Sequence, residues 1–175
     1  MPIREIITSP APVLRTRAHT VREVTPEIRQ LLEDMVETMR AAPGVGLAAP
    51  QVGVSQRLIV VEYADEDETQ GEIPQVPKLH LMVNPEIVRR SSESVAGVEG
   101  CLSIPGYLGT VYRAEAVTVK GLNRQGQPMR VKATGWLARI FQHEIDHLDG
   151  ILYIDRASEV WRPEPQEAAA AAVPV

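Results

Sequence analysis

Two of the chain's four histidines fall in one short run, His143-Glu144-Ile145-Asp146-His147. On a helix, at about 100° per residue, positions four apart lie about 40° from each other on one face, so both rings can aim a nitrogen at a single ion. Glu144 sits on the flank of that face. A carboxylate there can reach a water on the ion without being a ligand itself, which is where a general base belongs. The chemistry suggested is metal-assisted hydrolysis. Core histidines bonded to backbone, with Glu144 in a salt bridge, are the plainer alternative. The surroundings weigh against it. Trp136, Ile140, His143 and His147 share one stripe, Leu137, Phe141, Ile145 and Leu148 cover most of the opposite side, and Arg139, Gln142, Asp146 and Asp149 form the only clearly polar strip. A helix apolar over most of its circumference belongs at the centre of a domain. Polar groups buried there without partners cost ~1–3 kcal/mol each, and a metal ion supplies those partners at once.

A hydrolytic site of this kind usually takes three protein ligands and keeps one position for water. The pattern continues as H-E-x-x-H-x-x-G through Gly150, but Tyr153 stands where an endopeptidase of that type needs a third histidine. Little chain follows His147 to provide a later glutamate ligand. The other candidate lies upstream, in Glu99-Gly100-Cys101-Leu102-Ser103, which holds the only cysteine of the chain. As a thiolate, Cys101 would bind a borderline or soft divalent ion, and the ion would keep it deprotonated. An inert buried thiol is the alternative. The flanking glycine and the polar Glu99 and Ser103 make a plain core strand less natural and favour the ligand.

These residues need elements to position them. Thr25 suits an N-cap, Pro26 the first helical position and Glu27 the positive end of the dipole. Ile28, Leu31, Leu32, Met35, Val36 and Met39 then repeat at helical spacing, which predicts an amphipathic helix over about 25–41, stopped by Pro43-Gly44. Strands are expected over 57–62, 79–83 (closed by Asn84-Pro85), 116–120 and 129–133, the last two joined by a Gln125-Gly126 turn. Residues 86–95 form a weaker extended candidate. The second helix is expected from Thr134 or Gly135 to about Gly150. Residues 3–20 predict an irregular arm, 62–72 a solvated acidic loop, and the segment from about 161 onward a Pro/Ala-rich tail, frayed or disordered.

The 175 residues are 44% hydrophobic and 23% charged, enough for one sizeable core and too apolar for wholesale disorder. Aromatics are only 4%, so that core is mostly aliphatic. A net charge of −5 argues against a broad nucleic-acid-binding surface. No apolar run approaches the ~18–20 residues of a membrane span, and no signal-like segment opens the chain. A lone cysteine suits a reducing compartment. The expectation is a cytosolic protein with a single domain over about 1–160 and a tail over 161–175.

Three ordered motifs, Gly44-Val45-Gly46-Leu47-Ala48-Ala49-Pro50-Gln51, Glu99-Gly100-Cys101-Leu102-Ser103 and Gln142-His143-Glu144-Ile145-Asp146-His147, resemble those of the peptide deformylases without a substitution. The first alone would be weak, since glycines after a helix are usually a cap and turn. The resemblance implies an α+β fold, with mixed or antiparallel strands around a central helix at about 135–149 and helix 25–41 packed outside. It implies one divalent metal ion, Fe2+ by preference with Zn2+, Ni2+ or Co2+ also accommodated, on Cys101, His143 and His147. Glu144 would move the proton from water to the leaving amine. The Gln51 side chain and the Leu102 backbone N–H would face the oxyanion, and Gly46 would bind an extended N-formylmethionyl peptide, with release of formate. Val45, Trp136, Ile140 and the aliphatic stem of Arg139 are expected to line the methionine pocket, with the Arg139 guanidinium in water. Asp146 is open to a supporting role behind the metal or a structural salt bridge, and Arg113 can pair with Glu99. The family also implies transient contact with the ribosome near the exit tunnel; a monomer is expected, with neither DNA nor membrane as partner. A zinc endopeptidase and a non-catalytic metal-binding protein are the competing readings; Tyr153 weighs against the first, Glu144 and Gln51 against the second.

Overall fold

Leu58, Ile59, Val60 and Val61 are all fully buried, which a strand achieves only when both its faces are covered. In the computed structural model, which describes residues 2–64 and 76–170, they belong to strand β2 (Leu58–Tyr63) of a five-stranded sheet. That sheet has the order β1-β2-β3-β6-β7, with β1 at Gly46–Ala48, β3 at Lys78–Arg90, β6 at Ala116–Leu122 and β7 at Pro128–Thr134. Every neighbouring pair is antiparallel. Helix α1 (Pro26–Ala41) covers one face, packing Leu32, Met35 and Met39 against Leu58 and Val60. Helix α2 (Gly135–Leu148) covers the other, packing Leu137, Phe141 and Ile145 with Ile59, Val61, Val117 and Val119. A second antiparallel sheet, β4-β5-β8, is built from Ser94–Cys101, Ile104–Ala114 and Glu159–Trp161 and also contacts α2. The α+β architecture around a central helix is as expected from the sequence.

Local chemistry explains the two helices. The Thr25 side chain accepts from the Ile28 N–H at 3.3 Å and Pro26 opens α1. Gly135 has φ +58°, a left-handed value that lets β7 turn directly into α2, and its N–H is held by the Glu115 carbonyl. Every residue of α2 from Leu137 to Leu148 is buried. The polar strip expected on this helix is therefore mostly not solvated: Arg139, Gln142 and Asp146 are each about 5–6% exposed and satisfied inside, whereas Asp149 is exposed. Short helices α3 (Tyr153–Arg156) and α4 (Pro165–Ala170) follow.

Three differences from the sequence pattern have local causes. Residues 78–90 form one strand where two pieces were expected; a register shift between Val83 and Glu86 carries the chain through Asn84-Pro85. Residues 104–114, assigned to no element, form β5, because pairing with β4 overrides the glycines at 106 and 109. Cys101 itself ends strand β4, although the flanking Gly100 and the polar Glu99 and Ser103 make a plain core strand less natural there. The 3–20 arm is irregular as expected, apart from a 3-10 turn at Pro12–Arg15, and it straps three parts of the fold together. The Ile7 N–H bonds the Gln51 carbonyl, Ser9 that of Ser103, and Ala18 that of Leu148. Most of the acidic loop, residues 65–72, lies outside the described residues.

Asn84 pins the arm to the sheet. It sits at φ +52°, and its amide accepts from the Val21 N–H at 2.9 Å and donates to the Val21 carbonyl at 2.8 Å. Asn84→Ala removes both bonds at ~1 kcal/mol each and adds ~1–2 kcal/mol of left-handed strain. Urea unfolding should show a loss of roughly 2–4 kcal/mol for Asn84→Ala. Asn84→Gly loses the bonds but escapes the strain and should lie measurably closer to the parent.

Candidate metal centre

Helix α2 brings His143 and His147 to one face with ring centroids 5.0 Å apart, and β4 delivers Cys101 beside them, its Sγ 3.3 Å from His147 Nε2. Each of the three offers a ligand atom within 4.8 Å of the others, and all are buried. His143 directs Nδ1 at Glu99 Oε1, 2.8 Å away. An ionised carboxylate only accepts, so Nδ1 carries the proton and the lone pair is on Nε2. That Nε2 is buried and has no hydrogen-bond partner among the described residues. A soft sulfur and two imidazoles converging around such an orphaned lone pair fit one divalent metal ion.

Glu99 lies two residues before Cys101 in β4, across a shift in the β4–β5 register, and four groups donate to it. Arg113 Nε and Nη2 lie 2.9 Å from its two oxygens, and Arg139 Nη1 2.7 Å from Oε2, in addition to His143. Burial alone would raise the Glu99 carboxyl, but His143 and Arg113 outweigh it and hold it far below the usual carboxylate range. Arg113 extends the chain to Asp146 at 2.6 Å, and Asp146 also accepts from Arg156 at 2.6 and 3.0 Å. Asp146 thus combines the two roles left open: it is a salt-bridge partner, and it supports His143 only through Arg113 and Glu99.

Burial disfavours the charged forms of the cluster's own groups. Burial pushes the Cys101 thiol up, with the charges of Glu144 and Glu99 adding and the Ser103 and Ile104 N–H groups opposing. Burial holds His147 well below its usual value, helped by His143 and Arg113. Burial, then the charge of Glu99, raises Glu144 well above the carboxylate range. A metal ion would offset the penalty on the Cys101 thiolate and binds the neutral imidazole that burial already favours at His147.

Around the cluster, the Gln51 amide lies in the 3-10 turn Ala49–Val52. Its Oε1 accepts from the Ala48 N–H at 2.9 Å, which aims Nε2 at Ser103 Oγ (3.2 Å) and Cys101 Sγ (3.6 Å). Leu102 follows Cys101 in the β4–β5 turn and packs over Gly44, where an added β-carbon would meet Leu102 Cδ1 at 2.9 Å. Gly46 lies against Glu144: a β-carbon there would be 2.5 Å from Oε1. Val45 and Trp136 are partly buried against the α2 core, and Ile140 is fully buried within it. Arg139 departs from expectation. Its guanidinium is not in water but buried, donating to Glu99, to the Val111 carbonyl at 2.9 Å and to the Val95 carbonyl at 2.7 Å. The buried Glu99 needs counter-charge, and Arg139 provides part of it. Tyr153 stacks on His143 with centroids 6.0 Å apart.

The family model for polypeptide deformylase matches residues 3–162. The chain belongs to the polypeptide deformylase family. A peptide deformylase of Symbiobacterium thermophilum is 53% identical over 95% of this chain and 72% of its own length. One from Halothermothrix orenii is 51% identical over 91% of this chain and 97% of the relative. Among solved structures, the Ehrlichia chaffeensis peptide deformylase in complex with actinonin superposes with a TM-score of 0.82 at 40% identity, covering 91% of each chain. The Thermotoga maritima peptide deformylase gives 0.79 at 38% identity over 91% of this chain and all of that one. Like its family, this deformylase is a metal-dependent hydrolase that removes the N-formyl group from nascent peptides. It uses one metal ion.

Glu99 is the residue whose reach the sequence reading missed: a pairing with Arg113 was foreseen, the bonds to His143 and Arg139 were not. Its place beside Cys101 in the same short motif was the available signal. Glu99→Gln leaves two buried guanidiniums short of counter-charge, and chemical denaturation should show a loss of ~3–5 kcal/mol. Chelator competition should show metal affinity reduced ~10–100-fold, because His143 loses its orienting carboxylate.

Proposed function

We propose that Cys101, His143 and His147 hold the metal ion of this deformylase and that Glu144 carries the proton. In the same reading, Gln51 and the Leu102 backbone N–H are the oxyanion donors, and Val45, Gly46, Trp136, Arg139 and Ile140 border the substrate. The observation that carries this reading is Glu144. Both its oxygens are fully buried and lack a partner among the described residues, next in sequence to a residue of the Cys-His-His cluster. A carboxyl kept in that state costs stability and points to chemistry rather than architecture.

A divalent ion, when bound, supplies Lewis acidity that acidifies a water and polarises the formyl oxygen. Glu144 takes the proton of the attacking water and delivers it to the peptide nitrogen as the formamide C–N bond breaks, leaving formate and a free amino terminus. The Gln51 N–H, already aimed by Ala48, and the Leu102 N–H stabilise the negative oxygen; removing one such donor typically costs ~10²–10³-fold in rate. Gly46 lies on β1, the edge strand of the five-stranded sheet. Its backbone can therefore receive an extended N-formylmethionyl peptide by strand addition. The missing side chain at 46 leaves room for the Glu144 carboxylate. Arg139, neutralised by Glu99, offers its aliphatic stem next to Trp136, over whose ring its guanidinium carbon lies at 5.4 Å.

We assign the ion as ferrous iron, a borderline metal suited to one thiolate and two imidazoles, with Zn2+, Ni2+ and Co2+ as substitutes. We further assign a cytoplasmic, monomeric enzyme that docks transiently on the ribosome near the exit tunnel. No described helix is long and apolar enough to cross a membrane. The catalytic domain is taken as residues 1–160 and the tail as 161–175, although Trp161 still pairs with Leu108.

The test is formate release from formyl-Met-Ala-Ser by anaerobically purified enzyme, beside an acetylated control and metal analysis. Glu144→Ala should keep a full ion and lose ~10²–10⁴-fold in turnover. Cys101→Ala should lose the ion, and a full ion in that variant would overturn the ligand assignment. Gly46→Ala displaces the Glu144 carboxylate without touching a ligand. It should retain metal while kcat/KM falls ~10²-fold, the usual cost of a misplaced catalytic group.

A further inference from the structure

Beyond the Glu99–Arg113–Asp146 chain, a cavity of about 180 Å³ is lined by Arg90, Tyr112, Arg113, Gln142, Asp146 and Arg156. Its chemistry is one-sided. Three arginines line it beside one carboxylate. Both Asp146 oxygens are already taken, Oδ1 by Arg156 and Oδ2 by Arg113 and Arg156. The Gln142 oxygen accepts from the Ala114 N–H, and its amide nitrogen is spent on the Ala114 and Ala138 carbonyls. The donors, by contrast, are not exhausted. A guanidinium carries five N–H groups. Arg156 commits Nε and Nη2 to Asp146, and Arg90 has no ion pair among the described residues. Glu99 does not redress the balance, because Arg139 shares it from the other side. Counting Arg139, four guanidiniums meet two carboxylates. Arg113, with its side chain 4% exposed, is a buried and rigidly held floor rather than a mobile surface cation.

We propose that this cavity is a binding site for a small oxyanion of the phosphate type, held by Arg90 and Arg156 over the Arg113 floor, with the Tyr112 hydroxyl as a further donor. Guanidiniums suit such a ligand because their paired N–H groups match two oxygens of one anion. The volume admits a tetrahedral oxyanion and falls below the ~300–1,000 Å³ of sites for larger organic ligands. The site is separate from the one assigned to deformylation, so neither assignment depends on the other.

Inorganic phosphate is the probe, and the metal-loaded enzyme is the protein to use. Equilibrium dialysis at constant ionic strength, with chloride replaced by phosphate, should detect one saturable phosphate per chain. Arg90→Ala should weaken it about 10–100-fold, as expected for loss of one charged hydrogen-bonding group, while formate release stays at the parent level. The thermal midpoint of the parent should rise by roughly 3 °C more than that of Arg90→Ala near saturation. General phosphate exclusion lifts both proteins alike and cancels in that difference. No saturable phosphate, or equal binding by parent and variant as for phosphate on the metal itself, would overturn the proposal.

Discussion

A carboxylate taken out of water must be surrounded by donors, and in this chain the carboxylate is Glu99. It is fully buried, and four hydrogen bonds from three side chains converge on it. Those bonds set the protonated nitrogen of His143 and fix Arg113 and Arg139. Through Arg113 they reach Asp146 and Arg156. Paired burial of this kind costs more to break than to keep. The arrangement therefore imposes a demand on the fold: α2, β4 and β5 must meet in one place, because each supplies a member of the network.

Two sheets closing on α2 meet that demand. The five-stranded sheet gives the helix an apolar bed through Ile59, Val61, Val117 and Val119. The three-stranded sheet brings Glu99, Cys101 and Arg113 to its polar side. Gln142 joins the two halves at the backbone level, since its amide bonds both the N–H and the carbonyl of Ala114 at the end of β5. Helix α1 supplies none of the candidate ligands. It covers the outer face of the sheet, and without it Leu58 and Val60 would face water.

Much of this was legible in the sequence because it is written locally. Thr25-Pro26 and the 3.6-residue stripe after it define α1, and His143 and His147 are neighbours by helical geometry alone. Cys101 could be chosen as the third member of the cluster because Tyr153 excluded the alternative register. What stayed hidden depends on distant parts of the chain. Nothing near Arg139 says that its guanidinium is drawn inward; that follows from a buried carboxylate forty residues upstream. Strand β5 carries Pro105, Gly106 and Gly109, which blur its alternation, and only the partner strand β4 makes it extended. Asn84-Pro85 looks like the end of a strand, yet the left-handed Asn84 serves as a bulge that lets β3 continue.

The arm at the start of the described chain has a temporal meaning. Ile7, Ser9 and Ala18 are each synthesised well before their partners, the carbonyls of Gln51, Ser103 and Leu148. The strap cannot close until the last turn of α2 has left the ribosome. Local pieces such as the β6–β7 hairpin can form as they emerge, whereas the loop bearing Gln51, the turn after Cys101 and the end of the histidine helix are tied together only afterwards. Competence is thus deferred until the histidine helix has emerged: an enzyme that acts on growing chains cannot be completed earlier than that point of its own growth.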